Sequence, residues 1–182
     1  MSFSVVDHLF IFSFLFFIVD SLKCFSCASV EYQSLFERNS ALAGSVMVPK
    51  FDQFCDSESG VQQFSPVESC RSACVTVFEP HYIGGLQLPY RPFVYIRGCA
   101  DRVFAAMETR PAEVDVLHQD EICVSLKMSL IYPQVTANEI VQVCSCVNNA
   151  CNHRTQPSPD SSSSTNSISF FILFLFIFLV KF

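Results

Sequence analysis

The chain has 182 residues, a net charge of −6 and 51% hydrophobic residues, with 20 Phe, 10 Cys and no Trp. That length suits about one domain, and ten Cys are too many for an ordinary cytosolic enzyme of this size. Twelve of the Phe lie in residues 1–21 and 161–182, and all ten Cys lie between these ends, which excludes a multi-pass membrane protein and a disordered tail protein.

In chain order, Leu9 to Val19 is an apolar run broken only by Ser13. It is too short to span a bilayer and has the length of a secretory h-region. Val19-Asp20-Ser21 suits cleavage after Ser21, which predicts a signal peptide over 1–21 and a mature start at Leu22. The n-region has no Lys or Arg, so a membrane-anchored N-terminus is the alternative.

The mature chain opens Leu22-Lys23-Cys24-Phe25-Ser26-Cys27. Ser40 to Val48 is small, apolar and unlike a strand. Two β-rich runs follow, Ala73 to Phe78 and Phe93 to Arg97. The segment between them holds three Pro and Gly84-Gly85, so it reads as a long turn between antiparallel strands. Asp101 to Arg110 reads as one short helix with Asp101 as N-cap, Val103, Phe104 and Met107 on one face, and Pro111 ending it. That face is expected to pack inward rather than bind a partner. Ile122 to Leu126 and Ile140 to Cys144 form a third strand pair joined around Pro133. The cysteines close with Cys144-Ser145-Cys146-x4-Cys151-Asn152.

Thr155 to Ser167 is polar, with two Pro and the run Ser161 to Ser164, and cannot bury a core. Ile168 to Val180 is apolar except for Ser169, and too short to span a bilayer as a helix. Small residues, a polar spacer and a short greasy tail form the pattern of a glycosylphosphatidylinositol (GPI) anchor signal. Attachment is expected at Asp160 or Ser161, with 153–160 as stalk and 161–182 as removed propeptide. A short tail-anchored helix is the alternative. With a signal peptide, this tail places the middle outside the cell, where cysteines oxidise.

Residues 22–160 carry 10 Lys and Arg against 15 Asp and Glu, unlike a nucleic-acid binder. No G-x-S-x-G, H-E-x-x-H or Gly-rich phosphate loop is present. His118-Gln119-Asp120-Glu121 reads as a solvated charged loop. A zinc site is not expected, because no second C-x2-C follows Cys24-x2-Cys27 and His153 has no H-x3-5-H partner. No cofactor and no small-molecule substrate are implied. No Asn-x-Ser/Thr sequon occurs in 22–160.

The opening C-x2-C and the terminal C-x4-C-N resemble the LU family, the three-finger domains named for lymphocyte antigens and the urokinase receptor. The resemblance spans about 24–152. It implies an all-β, small disulfide-rich fold over 22–152: a three-finger LU domain on a five-disulfide palm, with a short helix in an insertion. It also implies the pairs Cys24–Cys74, Cys27–Cys55, Cys70–Cys99, Cys123–Cys144 and Cys146–Cys151, and a palm hydrogen-bonding role for Asn152. Cys70-x3-Cys74 and Ile96-Arg97-Gly98-Cys99 look most like the invertebrate branch, with its quiver/sleepless and nematode olfactory-signalling members. Two features depart from the family pattern. The Cys27–Cys55 interval is long, and Ser145 separates two cysteines that are adjacent in many relatives.

What the resemblance implies is a non-enzymatic, GPI-anchored extracellular protein that modulates a membrane receptor or ion channel in cis, in neuronal signalling. Its alternative is adhesion or the organisation of junctions and membrane compartments. Finger tips are the expected contact surface, with His81, Tyr82, Leu86, Tyr90 and Arg91 of finger 2 as candidates. Packing of Tyr82 on Tyr90 across the loop is the competing expectation for those two rings.

Overall fold

The structure is a computed structural model that describes residues 21–38, 49–135 and 139–154. The signal, stalk, anchor site and propeptide readings, and the Ser40 to Val48 segment, lie outside the described residues, apart from Ser21, His153 and Arg154.

Strand β1 (Leu22–Phe25) pairs antiparallel with β4 (Val67–Cys70), forming a two-stranded sheet. Between them lies the long first finger. It contributes β2 (Cys27–Ala28), α1 (Gln33–Arg38), β3 (Lys50–Phe51) and α2 (Glu58–Phe64). Asp52 and Ser57 start its turns, their side chains accepting from the backbone N–H of Phe54 and Gly60. Each helix sends an apolar side chain inward, Phe36 from α1 and Val61 from α2. The long Cys27–Cys55 interval is therefore a helical insert whose short strands join the main sheet.

That sheet has six strands, in the order β3, β2, β8 (Phe93–Cys99), β5 (Cys74–Pro80), β10 (Ile140–Cys146) and β9 (Cys123–Lys127). The central pair is β5 (Cys74–Pro80) with β8 (Phe93–Cys99), antiparallel from Cys74↔Cys99 to Pro80↔Phe93. The third finger is β9 (Cys123–Lys127) with β10 (Ile140–Cys146), also antiparallel. A short helix α5 (Met128–Ile131) follows β9. Both finger pairs coincide with the β-branched and aromatic runs of the sequence. β-branched and aromatic side chains fit a pleated, half-buried surface.

The helix expected over 101–110 is corrected. The chain forms α3 (Ala100–Val103), a turn, and then α4 (Ala112–Leu117). Pro111 precedes α4 instead of ending a helix, because its fixed φ suits a helix start and its missing N–H is not needed there. Val103 and Phe104 are buried, as are Val114 and Leu117 of α4. All four join the main core with Val75, Val77 and Ile96.

The core is divided. A large apolar cluster lies between the main sheet and its helices. The palm cluster is instead made of Cys24, Cys70, Cys74 and Cys99, with Leu22, Cys146 and Cys151 packed against it. The five disulfides are Cys24–Cys74, Cys27–Cys55, Cys70–Cys99, Cys123–Cys144 and Cys146–Cys151. No cysteine is free.

Candidate functional site

The palm fixes where the fingers leave it. Asn152 is buried beside the last disulfide. Its Oδ1 accepts from the Phe25 N–H (3.0 Å), and its Nδ2 donates to the carbonyls of Phe25 (2.9 Å) and Val75 (3.3 Å). Its own carbonyl accepts from Thr76 Oγ1 (3.1 Å) and from Arg97 Nη1 (2.5 Å). Arg97 is fully buried and also donates to the Cys55 carbonyl (3.3 Å) and Thr76 Oγ1 (3.3 Å). Its guanidinium lies 4.4 Å from the Tyr95 ring centroid. Burial pushes Arg97 down to about 10, so it stays charged at neutral pH. The sequence marks Arg97 as part of a strand and of the Ile96-Arg97-Gly98-Cys99 run, and nothing in it signals this anchoring role. The inserted Ser145 is also buried, and its hydroxyl reaches the carbonyls of Asp120 (2.6 Å) and Ile122 (3.2 Å). It thereby ties β10 to the segment leading into β9.

From this base β5 and β8 extend finger 2. Its tip is a small hairpin, β6 (Tyr82–Ile83) with β7 (Leu86–Gln87). Gly84 and Gly85 turn it, with φ of 60° and 83°. Such values are open to glycine and strained for most other residues. The hairpin is braced at its foot. Gln87 Nε2 donates to the Pro92 carbonyl (2.7 Å), and the His81 N–H donates to the same carbonyl (2.8 Å).

The five finger-2 candidates separate into two groups. Tyr82, Leu86 and Tyr90 point to solvent, Tyr90 at 96% exposure, and Ile83 joins them. That exposure excludes packing of Tyr90 on Tyr82. His81 and Arg91 turn inward. Arg91 donates to Glu31 Oε2 (2.8 Å) from Nη2 and to Asp56 Oδ2 (2.8 Å) from Nε. His81 Nε2 lies 3.8 Å from Glu31 Oε1. Asp56 further accepts from Ser29 Oγ, which itself accepts from the Tyr95 N–H (2.6 Å). These contacts clamp finger 2 to the first-finger insert. Burial pushes the Asp56 carboxyl up, opposed by its Ser29 and Arg91 hydrogen bonds.

Beside the hairpin foot runs a groove of about 520 Å³, lined by Glu31, Tyr32, Glu79, Tyr82, Val94, Glu139 and Ile140 among others. Tyr32 Oη donates to Glu79 Oε1 (2.7 Å). Burial pushes the Glu79 carboxyl above its ordinary 4.5, the Tyr32 hydrogen bond opposes this, and the Glu139 charge adds to it. The folded chain therefore holds this proton more tightly than the unfolded chain. The associated stability is complete below pH 4.5 and is lost as pH rises through the folded value. Glu79→Gln keeps the acceptor for Tyr32 and removes the charge. The variant is expected to lose this part of the pH slope above 4.5 and to be the more stable protein at pH 7. Thermal unfolding across pH 4.5–7 measures this, and equal slopes for the two proteins would contradict it.

His118 is packed, not solvated. Its Nδ1 lies 2.8 Å from the Val114 carbonyl, and its ring lies 5.5 Å from Phe104. This corrects the solvated-loop expectation for His118, because α4 turns its ring back onto the core, whereas Gln119 and Asp120 are exposed.

A family model described as Caenorhabditis elegans ly-6-related protein matches residues 27–153. The chain belongs to this Ly-6-related family. The match covers both terminal cysteine motifs except Cys24, together with all three fingers. No curated protein and no solved structure matches the chain. Ly-6-related proteins are small secreted or cell-surface proteins and are generally non-enzymatic. Among the described residues no helix is long and apolar enough to cross a membrane.

Proposed function

We propose that the protein is held on the extracellular face of the plasma membrane by a GPI anchor at Asp160 or Ser161. There the tip of finger 2 binds and modulates a membrane receptor or ion channel in cis, in neuronal signalling. The observation that carries the contact surface is the hairpin tip. Tyr82, Ile83, Leu86 and Tyr90 are exposed on a stretch of nine residues without a charge. Exposed aromatic side chains on a fixed scaffold lose little entropy on binding and are common interface anchors. The Arg91 clamp supplies the fixed scaffold. Anchoring in the partner's own membrane raises the effective concentration, so a small tip suffices. The neuronal setting rests on the likeness of Cys70-x3-Cys74 and Ile96-Arg97-Gly98-Cys99 to the invertebrate branch.

Phosphatidylinositol-specific phospholipase C applied to cells displaying the full chain is expected to release it into the medium. Retention on the membrane would contradict the anchor. The contact itself is tested by recording a receptor or channel with the wild-type chain and with a Tyr82→Ser/Leu86→Ser variant.

A further inference from the structure

The hairpin tip continues into a groove of opposite character. Tyr82 belongs to both: it is exposed on β6 and lines the groove beside the hairpin foot. Ile140, 64% exposed, lines the same groove. Glu79 and Glu139 line the same groove, and the Glu139 charge is felt at Glu79. The third carboxylate, Glu31, is already paired with Arg91. Among the described residues, no Lys, Arg or His forms an ion pair with Glu79 or Glu139. Arg38 lines an adjoining hollow together with both carboxylates, and His81 lines the groove itself. Among the described residues Glu79 accepts one hydrogen bond, from the Tyr32 hydroxyl.

Two carboxylates that no cation of the described residues pairs with are a poor arrangement for the free protein and a complementary one for a bound cation. Among the described residues the hairpin pairs with no other strand, and Tyr82, 59% exposed, is open on its groove side. The surface therefore has a preferred occupant: an extended segment carrying a basic side chain between apolar ones.

We propose that the groove lined by Glu79 and Glu139 takes a Lys or Arg side chain of the partner protein, while flanking apolar residues of that segment pack on Tyr82 and Ile140. This rests on the reading of finger 2 as the contact surface, and names the chemistry of what it contacts. A desolvated carboxylate–guanidinium contact is stronger than a neutral one. It also rejects acidic partners by repulsion, which gives selectivity that the uncharged tip alone lacks.

The test uses the purified full chain and three peptides, acetyl-Tyr-Leu-Arg-Leu-Tyr-amide and its analogues with citrulline or Glu in the central position. Binding of the Arg peptide is expected to be at least about tenfold tighter than that of the citrulline peptide. The Glu peptide is expected to be weakest, and the preference for Arg is expected to shrink with added salt. Glu79→Gln/Glu139→Gln should bring the Arg and citrulline peptides to equal affinity. Tyr82→Ser/Leu86→Ser should weaken both alike and keep their ratio. Equal binding of Arg and citrulline peptides by the wild-type chain, or no binding of any peptide, would overturn the inference. So would an Arg preference that survives the double Gln variant. If the charge preference is absent while the Tyr82→Ser/Leu86→Ser variant still loses binding, this inference fails and the finger-2 reading stands. If that variant binds all peptides as well as wild type, the finger-2 reading fails.

Discussion

Reduction of the disulfides is expected to unfold the domain at 37 °C. The palm has no aliphatic core to fall back on, since its buried cluster is made of Cys24, Cys70, Cys74 and Cys99. Each bond also restricts the unfolded chain. Cys24–Cys74, with a sequence separation of 50, is worth about 4 kcal/mol in the loop-entropy view, and Cys146–Cys151, with a separation of 5, about 2 kcal/mol. A domain of this size has a total stability of only about 5–15 kcal/mol. Loss of all five bonds is therefore comparable to the whole net stability of the domain. The expected readout is loss of the far-ultraviolet β signal and of a cooperative melt in reductant. A Cys24→Ala/Cys74→Ala chain should melt about 10 °C or more below wild type, and Cys146→Ala/Cys151→Ala by less. A reduced chain that melts like the oxidised one would contradict this.

The second large effect is at Arg97. Arg97→Ala is expected to cost about 3 kcal/mol. The substitution removes the largest fully buried side chain and leaves the carbonyls of Cys55 and Asn152 and the Thr76 hydroxyl short of a donor. Relief from burying a charge offsets part of the loss. Arg97→Lys should recover little, because a single ammonium cannot reproduce a planar fork that reaches Cys55, Thr76 and Asn152 together. Asn152→Ala is expected to cost about 2 kcal/mol, through the unpaired backbone groups of Phe25 and Val75. The two sites share one network, so the double variant should lose less than the sum of the two. Urea unfolding of the four proteins measures the cycle, and strict additivity would contradict the shared network.

Much of this fold was legible because its signals are local. The runs around Val75 and Val94 are strands in the sequence and in the structure, since unbroken runs of β-branched and aromatic residues fit a pleated, half-buried surface. The helices of the first-finger insert were not legible. Gln33–Arg38 and Glu58–Phe64 are each under two turns, too short to show a periodic face, and they are held by single buried contacts at Phe36 and Val61. Pro111 misled in a definite way, because proline both stops a helix and starts one, and only the packing of Val114 and Leu117 chooses. At the site, Tyr82, Leu86 and Tyr90 could be placed on a turn from the neighbouring Gly-Gly and Pro. The inward turn of His81 and Arg91 could not, since Glu31 and Asp56 reach them only through the tertiary fold. The same holds for Glu79 and Glu139, which are 60 positions apart in the sequence and meet in one groove.

The central claim is that the exposed tip of finger 2 acts on a membrane protein. The most direct measurement is the current and surface level of a receptor or channel in cells displaying the full chain. Wild type, Tyr82→Ser/Leu86→Ser and a no-protein control are compared at equal surface expression. The account predicts that the wild-type chain changes current or surface level, and that the variant needs at least about tenfold more protein for the same effect. A variant as effective as wild type, or a wild-type chain that changes neither quantity across the receptors and channels of the membrane that carries it, would contradict the account.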